Sequence, residues 1–385
     1  MSIVKRVSKR KIGITVEREL WGRSAGRCEM CNKVLYRSSL TKEKVQTAEK
    51  AHIYAFSPLG TRGNDKGRDS TEINDISNLI LLCPECHDLI DHDKKKKRYT
   101  VEVVQEIKRN HEERVEFVTG INPNRNYHVI LLGNDIGSGT TVIKDEDAYD
   151  AMFIEKEFPQ ESHPITITTR TPYSDFESKY WTVEEDNVQT QYERKIKPLL
   201  TEEKDNAFAL FGLAPMPILI KMGTLLTDQH NVEIFQLHRD TKSWKWQTSD
   251  LSNSLRFKIN SPQKKGRKPV LVISTSGRIL PERVTSILGD DCSIWEMTTD
   301  GEEPGNDIIK MKYDLESFRK CARSVLEEIR SSYEKPEEFL SIFPAMSVAC
   351  SLAFGLCRMP KADLPWKIYD QNNNEHKFIE TITIK

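Results

Sequence analysis

Long apolar runs are missing from this chain of 385 residues. No stretch approaches the roughly 20 consecutive apolar residues that a bilayer-spanning helix needs. The opening "MSIVKRVSKRKIGI" has no apolar segment of the signal-peptide kind. Neither a membrane span nor secretion is expected, and a cytoplasmic location is. Low-complexity tracts are also absent. Cysteine is sparse at eight residues, and in the reducing cytosol these are expected as metal ligands or buried thiols, not disulfides. The composition that remains, 37% hydrophobic and 30% charged, suits a globular chain with real cores. The length exceeds one core and implies two or three domains.

The net charge of −1 hides an asymmetry. Residues 1–120 hold 24 Lys and Arg against 18 Asp and Glu, an excess of six, which leaves −7 for residues 121–385. A basic first part suits a polyanion such as DNA. The charge is concentrated in "KRVSKRKIG" (Lys5 to Gly13) and "KKKKR" (Lys94 to Arg98).

Apolar spacing at Val101, Val104, Ile107, Val115 and Val118 predicts a helix capped by Thr100 and stopped by Gly120 and Pro123. The linker falls near residues 120–126, giving domains 1–120 and 121–385. Beyond it, "YHVILLG" (Tyr127 to Gly133) and "PVLVISTSG" (Pro269 to Gly277) are continuous apolar strands ending in glycine, the pattern of strands buried on both faces of an α/β sheet. Leu315, Phe318, Ala322, Val325 and Ile329 share one helix face. The second part therefore reads as α/β, built as two related halves, with "SPQKKGRKP" (Ser261 to Pro269) an exposed loop.

Cys28-x-x-Cys31 and Cys83-x-x-Cys86 form two knuckles separated by 51 residues. Four thiolates from two short loops make a closed tetrahedral site, the structural zinc arrangement, with no position open to substrate. Two unrelated pairs of free thiols are the alternative. Around the second knuckle stand His52 in "AHIYAF", Asn78 in "NLILLC" and His87 directly after Cys86. This order resembles the HNH endonucleases, and the resemblance covers roughly residues 10–118. It implies a ββα-metal fold stapled by zinc and hydrolysis of phosphodiesters. Such hydrolysis needs a base for the attacking water and a cation for the charge on the phosphate and leaving oxygen. Histidine, with an unperturbed pKa of about 6.5, can be neutral at physiological pH and accept a proton, and His52 is by resemblance the base. His87 is by resemblance a ligand of a catalytic magnesium or similar divalent ion, and Asn78 orients His52 by hydrogen bonds. Products would carry 5′-phosphate and 3′-hydroxyl ends. Many HNH nucleases place a second metal ligand, an aspartate, where this chain has Ala51. Asp91 and His92, further along the helix of His87, are the candidates for that role. Lysine runs contact phosphates without reading bases, so cutting of double-stranded DNA without sequence preference is expected.

The segments "APMPILIKMGTLLTD" (Ala214 to Asp228), "IFQLHRDTKSWKW" (Ile234 to Trp246), "VLVISTSGRI" (Val270 to Ile279) and "IFPAMSVACSLAFGLCRMPKADLPWKIYDQ" (Ile342 to Gln371) resemble the SAVED sensor domain. That domain is a fusion of two CARF-like Rossmann halves that binds cyclic oligonucleotides. The whole chain thus resembles the HNH–SAVED effectors of CBASS, a bacterial anti-phage system. The resemblance implies a cyclic dinucleotide or trinucleotide activator, homo-oligomers such as dimers or tetramers on activation, and DNA degradation as the response. Ser274, Thr275, Ser276 and Gly277 form a turn whose N–H groups are candidates to approach phosphates, with charge from Arg278 and Lys242. "LLGND" (Leu131 to Asp135) falls at another strand end, where ligands sit in open α/β sheets. Trp244 and Trp246 are candidates to stack on a base. Each has an ordinary alternative: a W-x-W pair packs, a Ser-Gly turn only turns, and Lys242 and Arg239 are exposed charges. The −7 of this part requires a local basic pocket for an anionic ligand. A modification-dependent HNH restriction endonuclease and a non-catalytic zinc-stapled DNA-binding regulator are the rival readings.

Overall fold

In the computed structural model the chain divides into two compact units, Met1–Ile121 and Asn122–Lys385. The structure describes residues 12–38, 41, 43–44, 47–57, 60–63, 73–93, 98–120, 125–134, 142–169, 171–202, 206–227, 230–247, 255–333 and 339–385. Most of the two basic clusters, Lys5 to Lys11 and Lys94 to Lys97, lies outside the described residues, as do linker residues 121–124, Asp135 and Asp228. Among the described residues no helix is long and apolar enough to cross a membrane.

The first unit contains α1 (Ile14–Arg23), β1 (Glu49–His52), β2 (Leu79–Leu82), α2 (Pro84–Asp91) and α3 (Val101–Thr119). β1 and β2 are antiparallel, with His52 opposite Leu79. All four residues of β2 are buried, which explains the unbroken apolar run in its sequence. Pro84 opens α2, where its missing N–H costs no helical bond. The Thr100 hydroxyl accepts from the N–H of Val103 to cap α3, and Gly120 ends that helix. Leu20, Leu35, Ile53, Ile90 and Val104 join β2 in one core. The result is two strands and a helix, flanked by α1 and α3.

The second unit holds two sheets. Its first half runs β3 (Asn126–Asn134), α4 (Asp145–Ile154), β4 (Phe158–Pro159), β5 (Ile165–Thr169), α5 (Ser178–Lys195), α6 (Lys197–Glu202), β6 (Ala207–Leu213), α7 (Met216–Leu226) and β7 (Asn231–Phe235). β4 and β5 pair with successive parts of β3, β6 lies on its other side and β7 beyond, all parallel. The second half runs β8 (Phe257–Asn260), β9 (Lys268–Ser274), α8 (Pro281–Leu288), β10 (Cys292–Thr299), α9 (Lys312–Ser332), β11 (Leu340–Ala345), α10 (Val348–Leu356), β12 (Trp366–Asn372) and β13 (Lys377–Ile384). Here β12, β11, β9 and β10 are parallel, with β13 and β8 as antiparallel edges. The two apolar runs of the sequence, β3 and β9, are thus central strands with neighbours on both sides. The five apolar residues noted on α9 are all buried.

The halves share a plan. In each, a central strand turns directly into an apolar helix, β6 into α7 and β11 into α10, and these two helices pack on each other. At their crossing a Cβ on Gly223 would lie 2.3 Å from the Leu352 carbonyl oxygen, and one on Gly355 would lie 2.2 Å from that of Ile220. Only glycine permits that approach. One continuous core, including Phe208, Phe211, Leu219, Leu352, Phe354 and Trp366, therefore spans both halves. Gly223→Ala is expected to lower stability by about 1–3 kcal/mol through overpacking. Gly277→Ala, where a Cβ meets nothing within 4 Å, should stay within about 0.5 kcal/mol; chemical denaturation of the two variants checks this.

Candidate functional site

The first knuckle is a tight turn in which the N–H of Asn32 donates to the Cys28 carbonyl, and that of Cys28 to the Lys33 carbonyl, both at 2.8 Å. Asn32 takes a φ of 64°, a left-handed conformation that asparagine tolerates. The turn docks on β2 through the N–H of Glu29, which donates to the Leu81 carbonyl. β2 then delivers Cys83 to the N-cap of α2 and Cys86 to its first turn. All four sulfurs lie within 4.8 Å of one another, with Cys31 and Cys83 Sγ at 3.7 Å. Burial, then the thiols of Cys83 and Cys31, push the Cys86 thiol strongly upward. Four sulfurs this close, from two short loops, make a closed donor set that a tetrahedral, thiolate-binding ion such as zinc fits.

His52 ends β1, half-buried, with Nε2 3.0 Å from Asn74 Oδ1. Asn78 is buried at the entrance to β2: its Oδ1 accepts from the Tyr54 N–H at 2.7 Å, and its Nδ2 donates to the carbonyls of Tyr54 and Ile73. One amide thereby pins the chain two residues beyond His52. His87 lies on α2, its N–H donating to the Cys83 carbonyl, and its Nε2 stands 3.5 Å from Asp91 Oδ2. The ring of His92 turns back on its own helix, Nδ1 at 2.8 Å from the Asp88 carbonyl. Among the described residues the four cysteines are the one cluster tight enough to enclose an ion; His52, His87 and Asp91 do not converge on that scale. An imidazole and a carboxylate side by side and open to solvent nonetheless fit a divalent ion that keeps several water ligands. Asn74 and a fully buried Arg62 are parts of this neighbourhood that reading the sequence missed. In a polar loop, each looks like ordinary surface.

In the second unit the expected ligand residues do not gather. Trp244 and Trp246 are buried, packed edge-on against Phe211 and His238, so the expected base stacking is corrected to core packing. The N–H groups of Thr275 and Ser276 both donate to the Ala345 carbonyl, at 2.9 and 2.8 Å, and the Ser274 side chain accepts from Ile279. The turn is locked to β11, and the phosphate cradle expected of residues 274–277 has no free N–H at those two positions. Arg278 is exposed and paired with Glu303 at 2.7 Å, and Lys242 is an exposed turn residue with a φ of 51°.

What the fold builds instead is a cavity of about 360 Å³ at the carboxyl ends of strands from both sheets. Of the expected residues Ser276 alone lines it. The first residues of α7 and α10 border it through Pro215, Met216, Ser347 and Val348, so two positive helix ends face the space. Among the described residues Arg239 is its one cationic lining residue, and Asp175, Asp370, Gln371, Asn306 and Asn373 supply further polar groups. The lining is thus of mixed charge, where the sequence led to the expectation of a local basic pocket for an anionic ligand. Burial, with a smaller push from Asp175, raises the Asp370 carboxyl to about 7. Gln236 ties β7 to this rim, its Oε1 accepting from the N–H of Ala349 at 3.1 Å.

A family model for the SMODS-associated and fused to various effectors sensor domain, SAVED, matches residues 188–384, and one for HNH endonuclease matches residues 28–94. No curated protein matches the chain. Among solved structures it is similar to an Acinetobacter baumannii Cap4 SAVED/CARF-domain containing receptor with the cyclic trinucleotide 3'3'3'-cAAA, at 13% identity and a TM-score of 0.40 over 74% of this chain and 61% of that one. The same receptor with 2'3'3'-cAAA gives 13% and 0.40 over 81% and 64%. A Moraxella osloensis Cap4 receptor gives 10% and 0.35 over 84% and 71%. The chain thus spans less than two thirds of the length of the first two.

Elemental analysis of the purified protein should find about one tightly held zinc per chain. Cys28→Ser and Cys83→Ser should each lose it, whereas Cys321→Ser on α9 should not.

Proposed function

The chain belongs to the SAVED sensor family, with an HNH endonuclease domain ahead of the sensor, and we propose that it is an effector whose DNA cutting is switched on by a cyclic oligonucleotide. The observation that carries the nuclease half is that His52 ends β1, Asn78 stands just before β2 and His87 lies on α2, in the unit that carries the four cysteines. His52 is the general base. The Asn74 amide oxygen accepts from its Nε2–H, which leaves Nδ1 to take a proton from the attacking water. Asn78 holds the loop beyond His52 and so fixes where the ring points. His87 would hold the divalent ion, magnesium or similar, which when bound supplies positive charge for the phosphate and the leaving oxygen. The substrate is double-stranded DNA, gripped through phosphates by the basic charge of residues 1–120 and cut with little sequence preference.

The sensor half is supported by the cavity where both sheets end. Helix N-termini and Arg239 suit phosphates. The carboxylates and amides opposite suit the hydrogen-bonding edges of bases. A cyclic dinucleotide or trinucleotide is the activator in this reading. Its binding changes how sensor units pack, protomers assemble into dimers or tetramers, and paired nuclease units cut both strands. The setting is anti-phage defence in the bacterial cytoplasm, of the CBASS kind.

The test is plasmid DNA with magnesium and a panel of cyclic dinucleotides and trinucleotides. Degradation should appear with a subset of the panel and be absent without it. His52→Ala should slow it by roughly 10²–10⁴-fold, and Arg239→Glu should remove the response to the activator. Equal cutting with and without the panel sinks the sensor reading. Cutting confined to modified DNA points to a restriction enzyme, and DNA binding with no cutting points to a regulator.

A further inference from the structure

We propose that Arg62 is a positioning residue of the nuclease site, one that spaces the strand of His52 from the helix of His87 and makes Asp91 act through His87 instead of directly on the ion. This rests on the HNH reading above. Arg62 is 1% exposed. Its Nε donates to the Ile53 carbonyl and its Nη1 to the Ile90 carbonyl, both at 2.7 Å. Its Nη2 lies 3.4 Å from the His52 carbonyl and 3.5 Å from Asp91 Oδ1. One guanidinium therefore touches the backbone on and beside His52 and, on the other side, the last turn of the helix that carries His87.

The chemistry of the contact explains why arginine is used. A buried cation is costly unless its surroundings compensate it. Here the compensation comes from the Ile90 carbonyl at the C-terminal end of α2, the negative end of the helix dipole, from the carbonyls of His52 and Ile53, and from the Asp91 carboxylate. The guanidinium is planar with donors in fixed directions, so bonding in several directions at once fixes a distance, which the single ammonium of lysine does not. Thr61, the preceding residue, adds to the clasp by donating its hydroxyl to the Asp91 carbonyl at 2.7 Å.

Asp91 stands between two partners. Its Oδ1 faces Arg62 and its Oδ2 faces His87 Nε2, each at 3.5 Å. A carboxylate beside one ring nitrogen favours the proton there and leaves Nδ1 as the donor to an ion. That is the arrangement in which an outer carboxylate orients a metal-binding histidine. The chain thus runs Arg62, Asp91, His87, with the arginine also setting the distance to His52.

The experiment titrates the full-length protein with Mn²⁺, following free ion by electron paramagnetic resonance, alongside zinc content and thermal unfolding. Wild type should bind Mn²⁺ and His87→Ala should abolish that binding. Arg62→Lys and Asp91→Asn should each weaken it about 10–100-fold, with zinc retained. The double variant should be little weaker than either single one, because both act on the same ring. Should Arg62→Lys unfold the unit, Asp91→Asn, on a half-exposed side chain, carries the test alone. Wild-type affinity in both single variants, with binding still lost in His87→Ala, overturns the positioning role and leaves the HNH reading standing. Loss in Asp91→Asn as complete as in His87→Ala makes Asp91 a ligand and also overturns it. No Mn²⁺ binding by wild type overturns the HNH reading itself.

Discussion

Four sulfurs held within 4.8 Å of one another are the constraint on which the N-terminal unit depends. The two knuckles lie 51 residues apart in sequence, and the segment between them contributes two four-residue strands, a single 3-10 turn and loops among its described residues. A unit with so little regular structure and one small core needs a staple. The staple also places the chemistry, because Cys83 caps the helix on which His87 stands, while β2 pairs with the strand that ends in His52. Disturbing the sulfurs therefore disturbs the residues proposed for catalysis, since the Cys83 carbonyl accepts the N–H of His87.

The C-terminal unit rests on a different kind of constraint. Two sheets, one parallel and one mixed, are joined by a pair of helices that approach until glycine alone fits between them, so the halves share one core. Each of these helices begins directly after a central strand of its own sheet. Packing them against each other brings both strand ends, and both positive helix ends, to the rim of one cavity. The cavity is thus a product of both halves together, and neither would form it alone.

Much of this was legible in the sequence. The α3 caps, the buried face of α9, the central apolar strands and the two Cys-x-x-Cys knuckles all carry local signals: capping hydroxyls, 3.6-residue spacing, unbroken apolar runs, ligand pairs. The cavity at the strand ends was not legible. Residues 274–277 have the composition of a phosphate-binding turn, yet two of their N–H groups are taken by the Ala345 carbonyl, a partner some 70 residues away. Trp244 and Trp246 alternate as if to present a face to a ligand, and that face meets Phe211 and His238. Arg62 is the converse: an arginine in a polar loop whose burial depends on β1 and α2 closing round it.

The sequence by itself determined which elements form and which residue types carry the chemistry, since caps, periodicity and metal-ligand spacing act over a few residues. Tertiary structure alone decided which N–H groups and carboxylates stay open to a ligand, where the cavity lies, and which charge is buried at the nuclease site. Those are matters of who reaches a group first once distant segments pack, and no local pattern records the partner.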